Sequence, residues 1–209
     1  TPPPIKAWVV CASWKQSLEI QSKLWALLPR AELTDATLQS YNIKTGFGHH
    51  NPLVVFKNGS TIRIATTGQR ALDLAGATIH VGLFDEPPRS QRVYSEIVKR
   101  LTITRGTLLL ALTPINANCD WLRDLCEEGL ISDHHYRLLP ENLIPIGQDT
   151  PRRLADGTLC DEDWIAELVA ETLPHERGVV CHGDWECRVV GNVFSAFQRT
   201  GSESHVRSN

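Results

Sequence analysis

The sequence predicts an α/β fold with a three-layer, mainly parallel sheet, and three observations carry that reading. Two mostly apolar runs, residues 79–84 and 106–112, have the length and texture of buried strands. Residues 90–103 lie between them and place Val93, Ile97 and Leu101 at helical spacing. A third apolar run, residues 6–12, is again followed by a helical pattern. Strands that alternate with helices are joined by crossovers, which favours parallel pairing with helices on both faces.

Each element has its own local signal. After the opening Thr1-Pro2-Pro3-Pro4, the segment Lys6-Ala7-Trp8-Val9-Val10-Cys11-Ala12 reads as a buried strand. Ser13 offers an N-cap to a helix over 14–28, on which Ile20, Leu24, Leu27 and Leu28 share one face, and Pro29 ends it. Residues 53–66 hold two β-rich runs around Asn58-Gly59, a strong hairpin signal. The strand ending at Asp85, the helix over 90–103 and the strand over 106–112, closing at Thr113-Pro114, come next. A helix near 119–129 and a strand near 134–139 complete the body. Beyond Pro140 the texture turns to Pro, Gly, Asp and Arg, with one helix over 161–172 bearing Trp164, Ile165, Leu168 and Val169. The expected division is a body over 1–140, a small lid or linker region over 141–197 and a flexible tail over 198–209.

Composition bounds the function classes. The 209 residues suffice for a full core, and 42% hydrophobic with 22% charged residues are ordinary globular values. The net charge of −3 carries no global signature of nucleic-acid binding, so any such contact needs a local basic face. No apolar run reaches the roughly 20 residues of a bilayer span and no leader pattern is visible, so the expected location is the cytoplasm. Six scattered cysteines read as reduced thiols. The absence of Met and the opening on Thr1 are read as marks of a piece of a longer polypeptide.

The run Ile79-His80-Val81-Gly82-Leu83-Phe84-Asp85-Glu86-Pro87-Pro88 ends abruptly in two carboxylates. In an α/β sheet the C-terminal tips of strands face the ligand crevice. One acid there is placed to hold Mg²⁺ and the other to orient a water. The run looks like a Walker B motif, in which the strand's acid supports the metal on nucleotide phosphates and the next Glu polarises the attacking water. The competing reading of such a pair is a cap for the following helix.

In chain order stand the strand and helix from Trp8 to Leu28, the hairpin at Asn58-Gly59, Leu72-Asp73-Leu74-Ala75-Gly76, the Asp85-Glu86 strand and the strand ending Thr113-Pro114. This ordered set resembles the ATPase domain of a large terminase subunit, the motor that packages DNA into tailed-phage and prophage capsids. Gly183-Asp184-Trp185-Glu186 followed by Gly191-Asn192-Val193-Phe194 is similar to the join before that family's nuclease domain. The resemblance implies a P-loop (RecA-like) ATPase core over 1–140. It also implies ATP and Mg²⁺ as cofactors, Asp85 as metal support, Glu86 as water-orienting base and Thr113 as part of the coupling motif. The implied partners are double-stranded DNA, a portal protein, a small terminase subunit and further copies of the chain in a ring. The implied setting is the cytoplasm of a bacterial host.

Two departures from the family pattern stand out. The phosphate-cradling loop G-x-x-x-x-G-K-[S/T] occurs nowhere, neither at Gly46-Phe47-Gly48 nor at Asn58-Gly59-Ser60. In the family it lies upstream of the strand at Lys6, so this chain alone is expected to bind ATP poorly and to hydrolyse it barely. Many relatives also carry Leu-Arg-Gly before the acidic pair, where this chain has Leu74-Ala75-Gly76. Arg70 and Arg89 are then the candidates for an arginine finger, against a structural salt bridge for either.

Other constellations point to blander roles. Arg92, Lys99, Arg100 and Arg105, with Arg89, form a local basic stretch and are candidates for DNA contact, although Glu96 and Arg100 are spaced for an i,i+4 pair on a solvated helix face. Cys160, Cys181, His182 and Cys187 invite a zinc reading, but no C-x₂-C pair exists and buried thiols are preferred. His49-His50 and His134-His135 are adjacent pairs with no two-ligand face. Trp25 and Trp164 lie on apolar helical faces and read as packing residues. Beside the packaging ATPase stand two alternatives: a degenerate α/β docking module for DNA or capsid assembly, and a superfamily 2 helicase fragment. The second needs another RecA-like domain that 141–209 does not supply.

Overall fold

The computed structural model describes residues 3–48, 51–70, 74, 76–88, 90–114, 120–145, 148–154 and 156–185. The chain divides into two compact units, Thr1–Leu112 and Thr113–Asn209.

In the first unit, β1 (Lys6–Cys11) buries Trp8 and Val10 on one face and Val9 and Cys11 on the other. A strand apolar on both faces belongs in the middle of a sheet, and β1 is the central strand. It pairs in parallel with β3 (Thr61–Thr66) and with β4 (Val81–Asp85), and β5 (Thr107–Ala111) adds in parallel beyond β4. β2 (Leu53–Val55) pairs antiparallel with β3, giving the order β2-β3-β1-β4-β5. The hairpin turn follows from its residues. Phe56 donates its N–H to Ser60 O at 2.9 Å, Asn58 Oδ1 accepts from Ser60 N at 2.9 Å, and Gly59 takes φ +84.

Helices cover both faces. Ser13 caps α1 (Trp14–Leu27), and its Oγ accepts from Gln16 N at 3.3 Å. Ile20 and Leu24 of α1 pack on Val9, Cys11 and Ile64. Ser90 caps α3 (Gln91–Thr102), whose Val93, Ile97 and Leu101 pack on Trp8, Val10, Ala65 and Phe84. Strand alternation puts those two residue sets on opposite faces, so the sheet lies between helix layers as expected. Gly82 admits α3 closely, since a Cβ there would lie 2.9 Å from Leu108 Cδ1 and 3.2 Å from Ile97 Cγ2. A further short helix, α2 (Asp35–Ser40), has no apolar period that the sequence reading detects; Thr34 caps it and the buried Thr37 fixes it to β2 through Val55.

The face of α1 differs from expectation. Leu27 is 82% exposed, and the fully buried positions are Ser17 and Gln21. Gln21 can be buried because its amide is satisfied at both ends: Nε2 donates to Ser17 Oγ at 3.1 Å and Oε1 accepts from Phe47 N at 2.8 Å. Gly46, at φ +66, leaves the space that the Gln21 amide occupies.

The second unit contains α4 (Asp120–Glu127), a 3₁₀ turn Pro140–Leu143, α5 (Glu162–Glu171) capped by Asp161, and α6 (Arg177–His182). The expected strand near 134–139 is absent: these residues are irregular. Their polar groups go elsewhere, with Leu138 N donating to Cys181 O at 2.7 Å and Asn142 Nδ2 donating to Arg137 O at 2.8 Å. No residue of α5 is fully buried, so Trp164 is half-buried and not a core anchor. Residue 119, at the start of the expected helix near 119–129, lies outside the described residues, as do 186–209 with the expected tail.

Candidate functional site at the C-terminal edge of the sheet

The connection after β1 enters α1 on one face of the sheet, and the connection after β4 leads to α3 on the other. Neighbouring parallel strands whose connections leave to opposite faces part at their carboxyl ends, and the crevice opens there. β1 and β4 are such a pair, and their last paired residues are Cys11 and Asp85. The acidic pair therefore sits at the switch point of the sheet.

Asp85 shares its face with Leu83, toward α1. Burial holds its carboxyl above the usual carboxylate range, while Lys23 on α1 pulls it down and Glu19 pushes it up. Lys23 is itself engaged with Glu19 at 2.8 Å on an exposed surface. Among the described residues no ion pair reaches Asp85. The neighbouring Cys11 thiol is pushed up to about 12, by burial first and by the charge of Asp85 second, which makes it an inert wall of the site.

Glu86 is half-buried and adopts left-handed backbone with φ +79. Its N–H donates to Ala111 O at 2.8 Å across to β5. For a residue with a Cβ this conformation costs roughly 1–2 kcal/mol, and such strain concentrates at functional positions. Capping does not require it, because the cap of α3 is Ser90.

A shallow cavity of about 270 Å³ lies at the carboxyl ends of β1 and β3, lined by Ala12, Ser13, Trp14, Thr66, Gly68 and Gln69. Gln69 Oε1 accepts from Thr66 N at 3.0 Å, and Thr67 Oγ1 donates to Ala12 O at 3.3 Å, so this rim is braced by its own side chains. Sequence alone marks Ser13 only as a cap and does not single out Trp14 or Gln69. The one usable signal is their position just past strand ends.

The remaining candidates are dispersed. Arg70 is exposed just beyond Gln69, and Arg89 lies outside the described residues. Thr113 is half-buried and belongs to the second unit. Lys99 and Arg100 converge on Glu96 at 2.7 and 2.9 Å, and these hydrogen bonds, with Lys99 foremost, pull its carboxyl below its usual range. Arg92 and Arg105 are exposed, the latter at φ +52. Cys160 and Cys181 are buried, Cys187 and His49-His50 lie outside the described residues, and no group of three or more His, Cys, Asp or Glu is placed around a cation among those described.

The donor set at β4 fits a magnesium ion bound in part by phosphates. It offers carboxylate oxygens, and the burial that disfavours the Asp85 anion is the condition a nearby cation relieves. Asp85 is the residue that would hold it, with Glu86 next to it in the chain.

No family model and no curated protein matches the chain. Solved structures similar to it include two phage proteins. One is a Thermus phage P74-26 large terminase ATPase domain mutant, at 16% identity and a TM-score of 0.37, covering 57% of this chain and 52% of that one. Another is the large terminase from a thermophilic bacteriophage, at 14% identity and a TM-score of 0.40, covering 61% of this chain and 32% of that one. The chain thus spans about half of the first and a third of the second. At this identity and TM-score neither likeness assigns this chain a family or an activity.

Proposed function

We propose that this chain is part of an ATP-driven DNA-packaging motor of the large-terminase type, and that Asp85 and Glu86 are its hydrolytic carboxylates. The observation that carries the reading is the placement of this pair at the β1/β4 switch point, with Asp85 half-buried and Glu86 strained. In this reading Asp85 would hold Mg²⁺ on the nucleotide phosphates, where the ion would supply neutralisation of phosphate charge. Glu86 orients a water and accepts its proton as the water oxygen bonds to the γ-phosphorus and the bond to ADP breaks.

The phosphate-gripping loop is supplied by sequence other than these residues, and Arg70 or Arg89 acts as the arginine finger. Thr113 reports the state of the γ-phosphate. Arg92, Lys99, Arg100 and Arg105 contact duplex DNA, with Lys99 and Arg100 partly neutralised by Glu96. The partners in this proposal are double-stranded DNA, the portal protein, the small terminase subunit and copies of the chain in a ring, in a bacterial host cytoplasm. Among the described residues no helix is long and apolar enough to cross a membrane.

The test is Mg²⁺-dependent ATP hydrolysis by a polypeptide that joins this chain to a phosphate-loop segment, measured with and without duplex DNA. Turnover lost in Glu86→Ala supports the motor. No turnover under any condition, with DNA and portal present, favours a docking module.

A further inference from the structure

A second arrangement of interest lies in the second unit, where two side-chain hydrogen bonds fasten residues 133–136 to the chain at the C-terminal end of α6 and a third joins the two side chains of that segment. His135 Nδ1 lies 2.7 Å from Gly183 O, and His135 Nε2 lies 2.9 Å from Asp133 Oδ2. The Trp185 indole N–H donates to the same Asp133 Oδ2 at 3.1 Å. Both partners of the His135 ring are acceptors. A backbone carbonyl cannot donate, and a carboxylate already taking the indole proton is held ionised. A neutral imidazole has one N–H and one bare nitrogen, so it makes only one of the two bonds and sets a lone pair against an oxygen at the other. The imidazolium makes both.

The backbone follows the same seam. Gly183 ends α6 at φ +69, and a Cβ there would lie 3.4 Å from Tyr136 O, so the helix end and residues 135–136 pack main chain to main chain. Leu138 N donates to Cys181 O at 2.7 Å one step along.

We propose that Asp133, His135 and Trp185 form a pH-operated latch, closed on the end of α6 while His135 is an imidazolium and loosened when it loses its proton. Among the described residues the charged groups that act on the ring are Asp133 on its own segment and Asp184 beyond α6, and both favour the cation. The hydrogen bond to Gly183 and then that to Asp133 raise the His135 pKa, while Trp185 and then His135 hold Asp133 below its usual range. The sign follows: a histidine with a raised folded pKa contributes stability that is fully present below its unfolded value, about 6.5, and is lost as pH rises through the folded value.

The experiment is a heteronuclear NMR titration of the His135 ring and the Trp185 indole N–H in the intact chain, repeated in Asp133→Asn. The asparagine oxygen still accepts from Trp185, so this variant removes the charge and keeps the bond geometry. The expected result is a His135 midpoint above about 6.5, a Trp185 indole shift with the same midpoint, and a lower His135 midpoint in the variant. A wild-type midpoint at or below about 6.5, an indole signal that ignores it, or an unchanged midpoint in Asp133→Asn overturns the latch. The wild-type titration decides by itself if the variant does not fold.

Discussion

Two residues at the tip of β4 carry opposite kinds of cost, and both are measurable. Glu86 holds left-handed backbone that glycine would hold without strain. Glu86→Gly is therefore expected to stabilise the fold by about 1 kcal/mol while removing the group proposed to take the water's proton; denaturant unfolding of the two forms reads this. A loss of stability would mean that the side chain holds the turn in place and that the strain has another origin. Asp85 bears a desolvation cost. Its unfolded carboxyl titrates near 3.9 and its folded carboxyl above that, so the native state binds the proton more readily and stability falls as pH rises through the interval. Asp85→Asn is expected to be more stable than wild type at neutral pH, with the difference vanishing below about pH 3.9. Unfolding midpoints across pH test the sign. The position of the acidic pair at the tip of a strand was legible because the apolar run ends abruptly at Asp85-Glu86. The left-handed φ of Glu86 was not, because nothing in Asp-Glu-Pro-Pro asks for it.

At the scale of elements, strands β1, β4 and β5, the hairpin and helices α1 and α3 were readable from period, caps and Asn58-Gly59, because local chemistry and global position agree there. The misreadings share one cause. Hydrophobicity predicts Ile20, Leu24, Leu27 and Leu28 as the buried face of α1, yet Ser17 and Gln21 are buried and Leu27 is exposed, because the Gln21 amide is completed by Phe47, far along the chain. A tertiary hydrogen bond leaves no periodic signal. Residues 134–139 fail as a strand for a related reason, their polar groups being taken by the end of α6 and the 3₁₀ turn. Gln21→Ala is expected to cost about 1–3 kcal/mol, because the Phe47 N–H loses its partner inside the fold. Thermal or urea unfolding reads this directly. A cost within a few tenths of a kcal/mol would show that water reaches Phe47 N and that the amide pair does not fix the 42–47 turn on α1.

At the scale of the whole molecule, one physical theme joins sheet and site. The order β2-β3-β1-β4-β5 sends the chain to one side of β1 first and to the other side later, and that reversal puts Asp85 at the switch point of the sheet, while the cavity itself lies at the ends of β1 and β3. The functional proposal therefore rests on topology and two carboxylates, with the basic set on and just after α3 as a secondary element whose charge Glu96 partly cancels. Location at a switch point is shared by many ligand-binding sheets, so chemistry must decide among them. The most direct measurement is the steady-state rate of Mg²⁺-dependent ATP hydrolysis in a polypeptide that joins this chain to a phosphate-loop segment, compared with its Glu86→Ala and Glu86→Gln forms. The expected result is a fall in turnover of about 10²–10⁴-fold in both variants with nucleotide affinity retained. Turnover that survives both substitutions would contradict the assignment of Glu86 as the base and, with it, the reading of this sheet edge as the hydrolytic site.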